Sequence, residues 1–201
     1  DRGDGPLYFA VQASFFSLEE PVTAAGNEIF ARRSYTRLSG RPTLLKGYVY
    51  DALPLLDNGT AQSGDRVDVV LTIEAKNDYE YLCFEDLKPA GLEAVALRSG
   101  ENLSARELRA DAVARTFTAG QADRDAGDYT GRTAWVYQEL RDRKVALFIS
   151  HLPQGVWEIR YQLRAETPGA FHGLPVLGHA MYVPEIRCNS AEMRLRVTGD
   201  R

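Results

Sequence analysis

Only two cysteines, Cys83 and Cys188, occur in the 201 residues, which excludes a disulfide-dense scaffold. No apolar run approaches the roughly 20 residues that a membrane-spanning helix needs, so direct insertion of this chain into a bilayer is not expected. A concentrated positive charge is missing as well. With 28 acidic and 24 basic side chains the formal charge is -4, and nucleic acid, which selects a basic face, is not an expected partner. Histidine is scarce, with His151, His172 and His179 alone. Neither a G-x-S-x-G elbow nor a G-x-x-x-x-G-K-[ST] phosphate loop is found. No signal peptide is visible, but the opening Asp1-Arg2-Gly3-Asp4-Gly5-Pro6 reads as a cut inside something longer, so this carries no message about compartment.

What the sequence does have is alternation. Trp157, Ile159, Tyr161, Leu163 and Ala165 face one way, and Val156, Glu158, Arg160, Gln162 and Arg164 the other. That period of two marks a strand lying over a core. Pro153-Gln154-Gly155 separates it from Lys144–Leu152, so the two segments are expected to form a hairpin. Val67, Val69, Leu71 and Ile73 alternate in the same manner, as do Ile29, Ala31, Arg33 and Tyr35. Further strands are expected over Pro6–Ser17, Tyr79–Lys88, Trp135–Leu140 and Ala191–Thr198, with one short strand within Leu44–Leu55. At 44% hydrophobic content the chain can bury a core of its own. The expected fold is all-β: one domain over 1–201, an antiparallel two-sheet β-sandwich.

The stretch around 100–131 breaks the pattern. Ser104 followed by Glu107 has the spacing of a capping box, so a short helical or irregular excursion is expected there. Chemistry is sparse elsewhere. His172, His179 and Glu185 supply ligand types without a recognised zinc spacing, and a small metal-dependent hydrolase built on them is the minor alternative. Cys83 and Cys188 are read as two free thiols or as one bridge between distant strands. Asn58-Gly59-Thr60 matches a glycosylation pattern relevant only to a eukaryotic secretory route, and Arg2-Gly3-Asp4 is a chance tripeptide. No cofactor, metal or catalytic residue is expected. The chain reads as a non-enzymatic β-sandwich module.

Several segments taken together carry a resemblance: EEPVTAAGNEI (19–29), YEYLCFEDLKPAG (79–91), DRKVALFISHLPQG (142–155), YQLRAETPGAFHGLP (161–175) and AMYVPEIR (180–187). In this order and spacing they resemble the C-terminal macroglobulin-like domain of the bacterial α-2-macroglobulins, the counterpart of the receptor-binding domain of animal relatives. The likeness is weakest over Arg98–Thr133. It implies a macroglobulin-type β-sandwich belonging to a large protease inhibitor of the periplasm or cell envelope, the parent anchored as a lipoprotein. Target proteases are then partners of the full-length inhibitor, and the thioester domain is the intramolecular partner of this domain. The thioester motif C-x-E-Q is absent here, so the implied role is to pack on that domain, shield its bond and move on activation. The AMYVPE segment places the shielding tyrosine at Tyr182, with Met181 beside it. The chain departs from the family at Cys188, where glycine is more frequent, which leaves room for a local disulfide or an altered loop. A free-standing envelope adhesion or ligand-binding module is the alternative reading.

Overall fold

The computed structural model describes residues 21–44, 47–95, 102–119 and 125–199, together with Pro6, Phe9, Val11 and Ala13. The strand expected over Pro6–Ser17 and the Arg2-Gly3-Asp4 tripeptide therefore lie for the most part outside the described residues. The strands are β1 (Ala25–Gly26), β2 (Ile29–Thr43), β3 (Gly47–Leu55), β4 (Gly59–Gln62), β5 (Arg66–Ala75), β6 (Tyr79–Asp86), β7 (Leu92–Ala94) and β8 (Asn102–Leu108). After the helix α1 (Ala110–Ala119) come β9 (Tyr129–Leu140), β10 (Val145–Leu152), β11 (Gly155–Ala165), β12 (Gly169–Gly173), β13 (Val176–Ala180), β14 (Arg187–Asn189) and β15 (Met193–Thr198).

Twelve strands form one curled antiparallel sheet in the order β1-β14-β13-β6-β10-β9-β8-β11-β5-β2-β3, with β7 also paired to β11. Its two halves are joined by a short β8–β11 pairing, in which only Trp157↔Glu107 and Glu158↔Arg106 are in register. The halves then face each other as a sandwich. Leu82 and Phe84 of β6 with Leu147 and Ile149 of β10 share one core with Leu71 and Ile73 of β5 and Ile159 and Leu163 of β11. Each such side chain, taken fully out of water, contributes on the order of 1.5–3 kcal/mol. A small second sheet, β12-β15-β4, adds Leu195, Val197 and Ala61 to the same core. Its β15–β4 pairing is parallel, a departure from the all-antiparallel expectation.

Two local expectations are corrected. Segments β10 and β11 are not hairpin partners: β10 pairs with β6 and β9, while β11 pairs with β5, β7 and β8. The Pro153-Gln154 turn instead carries the chain from one half of the sandwich to the other. It is held by Gln154 N donating to Asp78 Oδ1 at 2.8 Å and Trp157 Nε1 donating to Pro153 O at 2.8 Å. The expected capping box at Ser104 and Glu107 is also absent, because both lie in β8, with Ser104 opposite Trp135 of β9. Glu107 accepts from Thr130 Oγ1 at 2.6 Å and from Arg132 Nη1 at 2.8 Å. The excursion within 100–131 does contain a helix, but it starts at Ala110, where the ladder ends. Ala112 and Val113 pack on Leu108, Tyr129 and Val156.

A polar cluster lies inside the sandwich. Asp86 of β6 accepts from the guanidinium of Arg33 on β2 and from the hydroxyl of Tyr161 on β11. Arg33 also donates to Gly173 O at 3.1 Å, which ties in β12. Burial and the neighbouring Asp86 push the Tyr161 hydroxyl well above its ordinary range, so it stays protonated and can donate.

The candidate docking loop and its supports

The turn between β13 and β14 presents Tyr182, one of the most exposed aromatic side chains among the described residues. Its sequence, Met181-Tyr182-Val183-Pro184-Glu185-Ile186, explains its shape. Pro184 pre-sets φ for the first central position of a β-turn, and Ile186 N donates to Val183 O at 2.9 Å to close it. Ala180 N donates to Ile186 O at 3.0 Å across the base. The tip then stands clear of the sheet, leaving Tyr182 75% exposed, with Met181 and Val183 about half exposed.

Two residues that sequence reasoning did not single out hold this loop. Asn27, between β1 and β2, donates from Nδ2 to Glu185 O at 2.7 Å and accepts at Oδ1 from Arg187 N at 3.2 Å. It thereby grips the descending limb on both sides of Ile186. The same Oδ1 accepts from Glu28 N at 2.9 Å, so the clamp is oriented by its own neighbour. The only signal for Asn27 was its place inside the EEPVTAAGNEI segment. Tyr81 of β6 is the second support. Its carbonyl accepts from Met181 N at 2.8 Å, and its ring meets that of Tyr182 edge to face, with centroids 5.1 Å apart and planes at 86°. A depression of about 430 Å³ beside the loop is lined by Asn27, Leu177, Glu185, Arg187, Cys188 and Asn189.

The cysteines flank this region without joining. Both are free and buried. Cys83 stands opposite His179 across the β6–β13 ladder, whereas Cys188 stands opposite Gly178 across β13–β14. Adjacent positions of one strand point to opposite faces, and the two thiols are separated by a whole strand, about 9–10 Å at ~4.8 Å per pairing. The bridge entertained from the sequence is therefore not formed. Burial pushes the Cys188 thiol up to about 12, a hydrogen bond with the Gly178 backbone partly opposing it. Cys83 is raised as well, by burial and then by the nearby Glu85 carboxylate. Neither is a ready thiolate nucleophile at neutral pH.

His172 and His179 lie on different sheets, in β12 and β13, and Glu185 sits in the loop between β13 and β14. His172 Nε2 lies 3.0 Å from Glu192 Oε2. Among the described residues no three His, Cys, Asp or Glu side chains converge as a metal site would require. The three residues of the hydrolase alternative, His172, His179 and Glu185, are not brought together. The loop offers an aromatic pair with polar tips on a hydrogen-bonded base.

A family model described as the bacterial alpha-2-macroglobulin MG10 domain matches residues 30–185. An alpha-2-macroglobulin of Xylella fastidiosa strain Temecula1 is 25% identical over 186 residues, 92% of this chain and 10% of that protein. An alpha-2-macroglobulin homolog of a Nostoc species is 29% identical over 197 residues, 97% of this chain and 9% of that protein. The chain thus spans about a tenth of the length of these relatives. In structure it is similar to native Escherichia coli alpha-2-macroglobulin spanning domain MG7 to the C-terminus. The TM-score is 0.55 at 23% identity, over 90% of this chain and 25% of that one. Salmonella alpha-2-macroglobulin reacted with methylamine gives 0.57 at 22% identity, over 89% and 10%.

Proposed function

The chain belongs to the bacterial alpha-2-macroglobulin MG10 domain family, and from that premise we propose that it is the non-enzymatic docking module of a broad-spectrum protease inhibitor. Tyr182 and Met181 seat on the thioester domain of the parent polypeptide in its resting state. They exclude water and small amines from the thioester bond and withdraw when an attacking protease cuts the parent. The parent acts in the periplasm or cell envelope, held there as a lipoprotein, and its target proteases are partners of the whole inhibitor. Where a parent lacks the thioester, the same loop is a structural contact.

The observation that carries this reading is the 75% exposed Tyr182 ring on a loop whose backbone is pinned at Tyr81, Asn27 and Ile186. An exposed aromatic on an ordered support offers apolar area at small entropic cost, and its hydroxyl can still meet a polar partner. Such a contact must exclude water yet release on a signal. An interdomain surface of roughly 600–1,500 Å² suits that better than an extension of the core.

The test is Tyr182→Ala in the full-length inhibitor, in a parent shown to carry the thioester. Domain stability should change by no more than about 1.5 kcal/mol, the upper value for an aromatic pair. Free thiol should appear faster in uncleaved protein, with and without methylamine. Equal rates for wild type and variant would refute the shielding role.

A further inference from the structure

Tyr81 lies inside a strand, yet its φ is +53°, a conformation that a residue with a large ring adopts only when its surroundings impose it. The alternation of β6 changes phase there. Leu82, Phe84 and Asp86 point into the core in a regular series, whereas before Tyr81 it is Tyr79 that is buried and Glu80 that is exposed. The partner strand follows: Ile149 and Leu152 are buried opposite Leu82 and Tyr79, and His151 is exposed opposite Glu80. The irregularity is thus shared by two strands of the sheet rather than confined to a loop end. It leaves the Tyr81 ring 47% exposed directly against Tyr182.

We propose that Tyr81 is the positioning residue of the docking loop: its carbonyl fixes Met181, and its ring holds Tyr182 in the outward pose in which it meets the partner domain. The inference rests on the docking role of Tyr182 proposed above and adds to it a second aromatic group, whose exposed edge extends the contact surface. Two consequences separate this role from a merely structural bulge. The hydroxyl of Tyr81 is dispensable, because the edge-to-face contact uses the ring alone. Glycine at 81 accepts positive φ without strain, so it removes the ring while keeping the backbone course.

The experiment places 3-fluorotyrosine at position 182 of the full-length polypeptide, in wild type and in the Tyr81→Phe and Tyr81→Gly variants, and reads its fluorine resonance. In Tyr81→Gly the resonance should move toward that of free fluorotyrosine and narrow, while Tyr81→Phe leaves it in place. In a parent that carries the thioester, Tyr81→Gly should also speed thiol release in uncleaved protein about 2- to 10-fold, the range set by loss of an aromatic pair. A resonance identical in wild type and Tyr81→Gly overturns the positioning role, even where Tyr182→Ala still speeds release and the docking reading stands. A resonance that moves in Tyr81→Gly, with release unaffected by both Tyr81→Gly and Tyr182→Ala, supports positioning and removes the docking reading instead.

Discussion

Cys188 and Asn27 show how much a single position decides near the loop. The Cys188 thiol is held at about 12 by burial, against an ordinary value of 9.0. In the unfolded chain it ionises near its ordinary value, while the native chain keeps its proton. Its contribution to stability is therefore fully present below pH ~9 and is lost as pH rises toward ~12, at up to about 1.4 kcal/mol per pH unit. Tyr161, raised in the same direction, steepens the fall. The urea midpoint should decline from pH 9 to 11, and less steeply in Cys188→Ala, so identical slopes would contradict this assignment. Thiol titration in denaturant without reductant should return two free thiols, since both cysteines are unpaired. For Asn27 the expectation is local. Asn27→Ala removes the hydrogen bonds to Glu185 O and from Arg187 N, each with a net value of about 0.5–1.5 kcal/mol. Amide exchange at Ile186 and Arg187 should accelerate while core strands stay protected.

The Arg33–Asp86–Tyr161 cluster belongs to the scale of elements, because it joins β2, β6 and β11 inside the sandwich. Arg33→Met leaves the Asp86 carboxylate buried without its cation and should cost about 3–5 kcal/mol. Asp86→Leu added to it removes the stranded charge and should recover part of that loss, which chemical denaturation of the two variants checks. Arg33 was legible from the sequence as an inward-facing position of β2, since it alternates with Ile29, Ala31 and Tyr35, though its partner was not. Strand identity was readable wherever one face is apolar, as in β5 and β11, because period two is set by backbone geometry. Strand partnership was not. The short Pro153-Gln154 turn suits a hairpin and a crossover between sandwich halves alike, and only the burial of both β10 and β11 in one core separates them. Ser104 and Glu107 misled because a strand pairing with β9 outweighs a weak capping signal. Tyr81 stood within the quoted segment 79–91, but its conformation was invisible: positive φ is announced by glycine or asparagine, and a tyrosine that adopts it under tertiary constraint leaves no local mark. Tyr182 was reached through family resemblance, since period and composition alone cannot tell a docking aromatic from a stray one on the surface.

At the scale of the whole molecule the sandwich holds the Tyr182 loop from several sides. The loop bearing Tyr182 is fed by β13 and closed by β14, backed by Tyr81 from β6, and clamped by Asn27 at the start of β2. These supports come from segments far apart in sequence, so the loop's pose is set by the finished sheet and not by the loop alone. The chain spans about a tenth of the length of the relatives it matches. On the function proposed above, the Tyr182 loop is covered in the resting parent and uncovered by cleavage. Hydroxyl-radical footprinting of the full-length protein, before and after limited proteolysis, measures it directly through the oxidation rates of Met181 and Tyr182. Both side chains should be strongly protected in the uncut protein and should react, once it is cut, at rates fitting the exposure seen here. Equal rates in the two states would contradict the account.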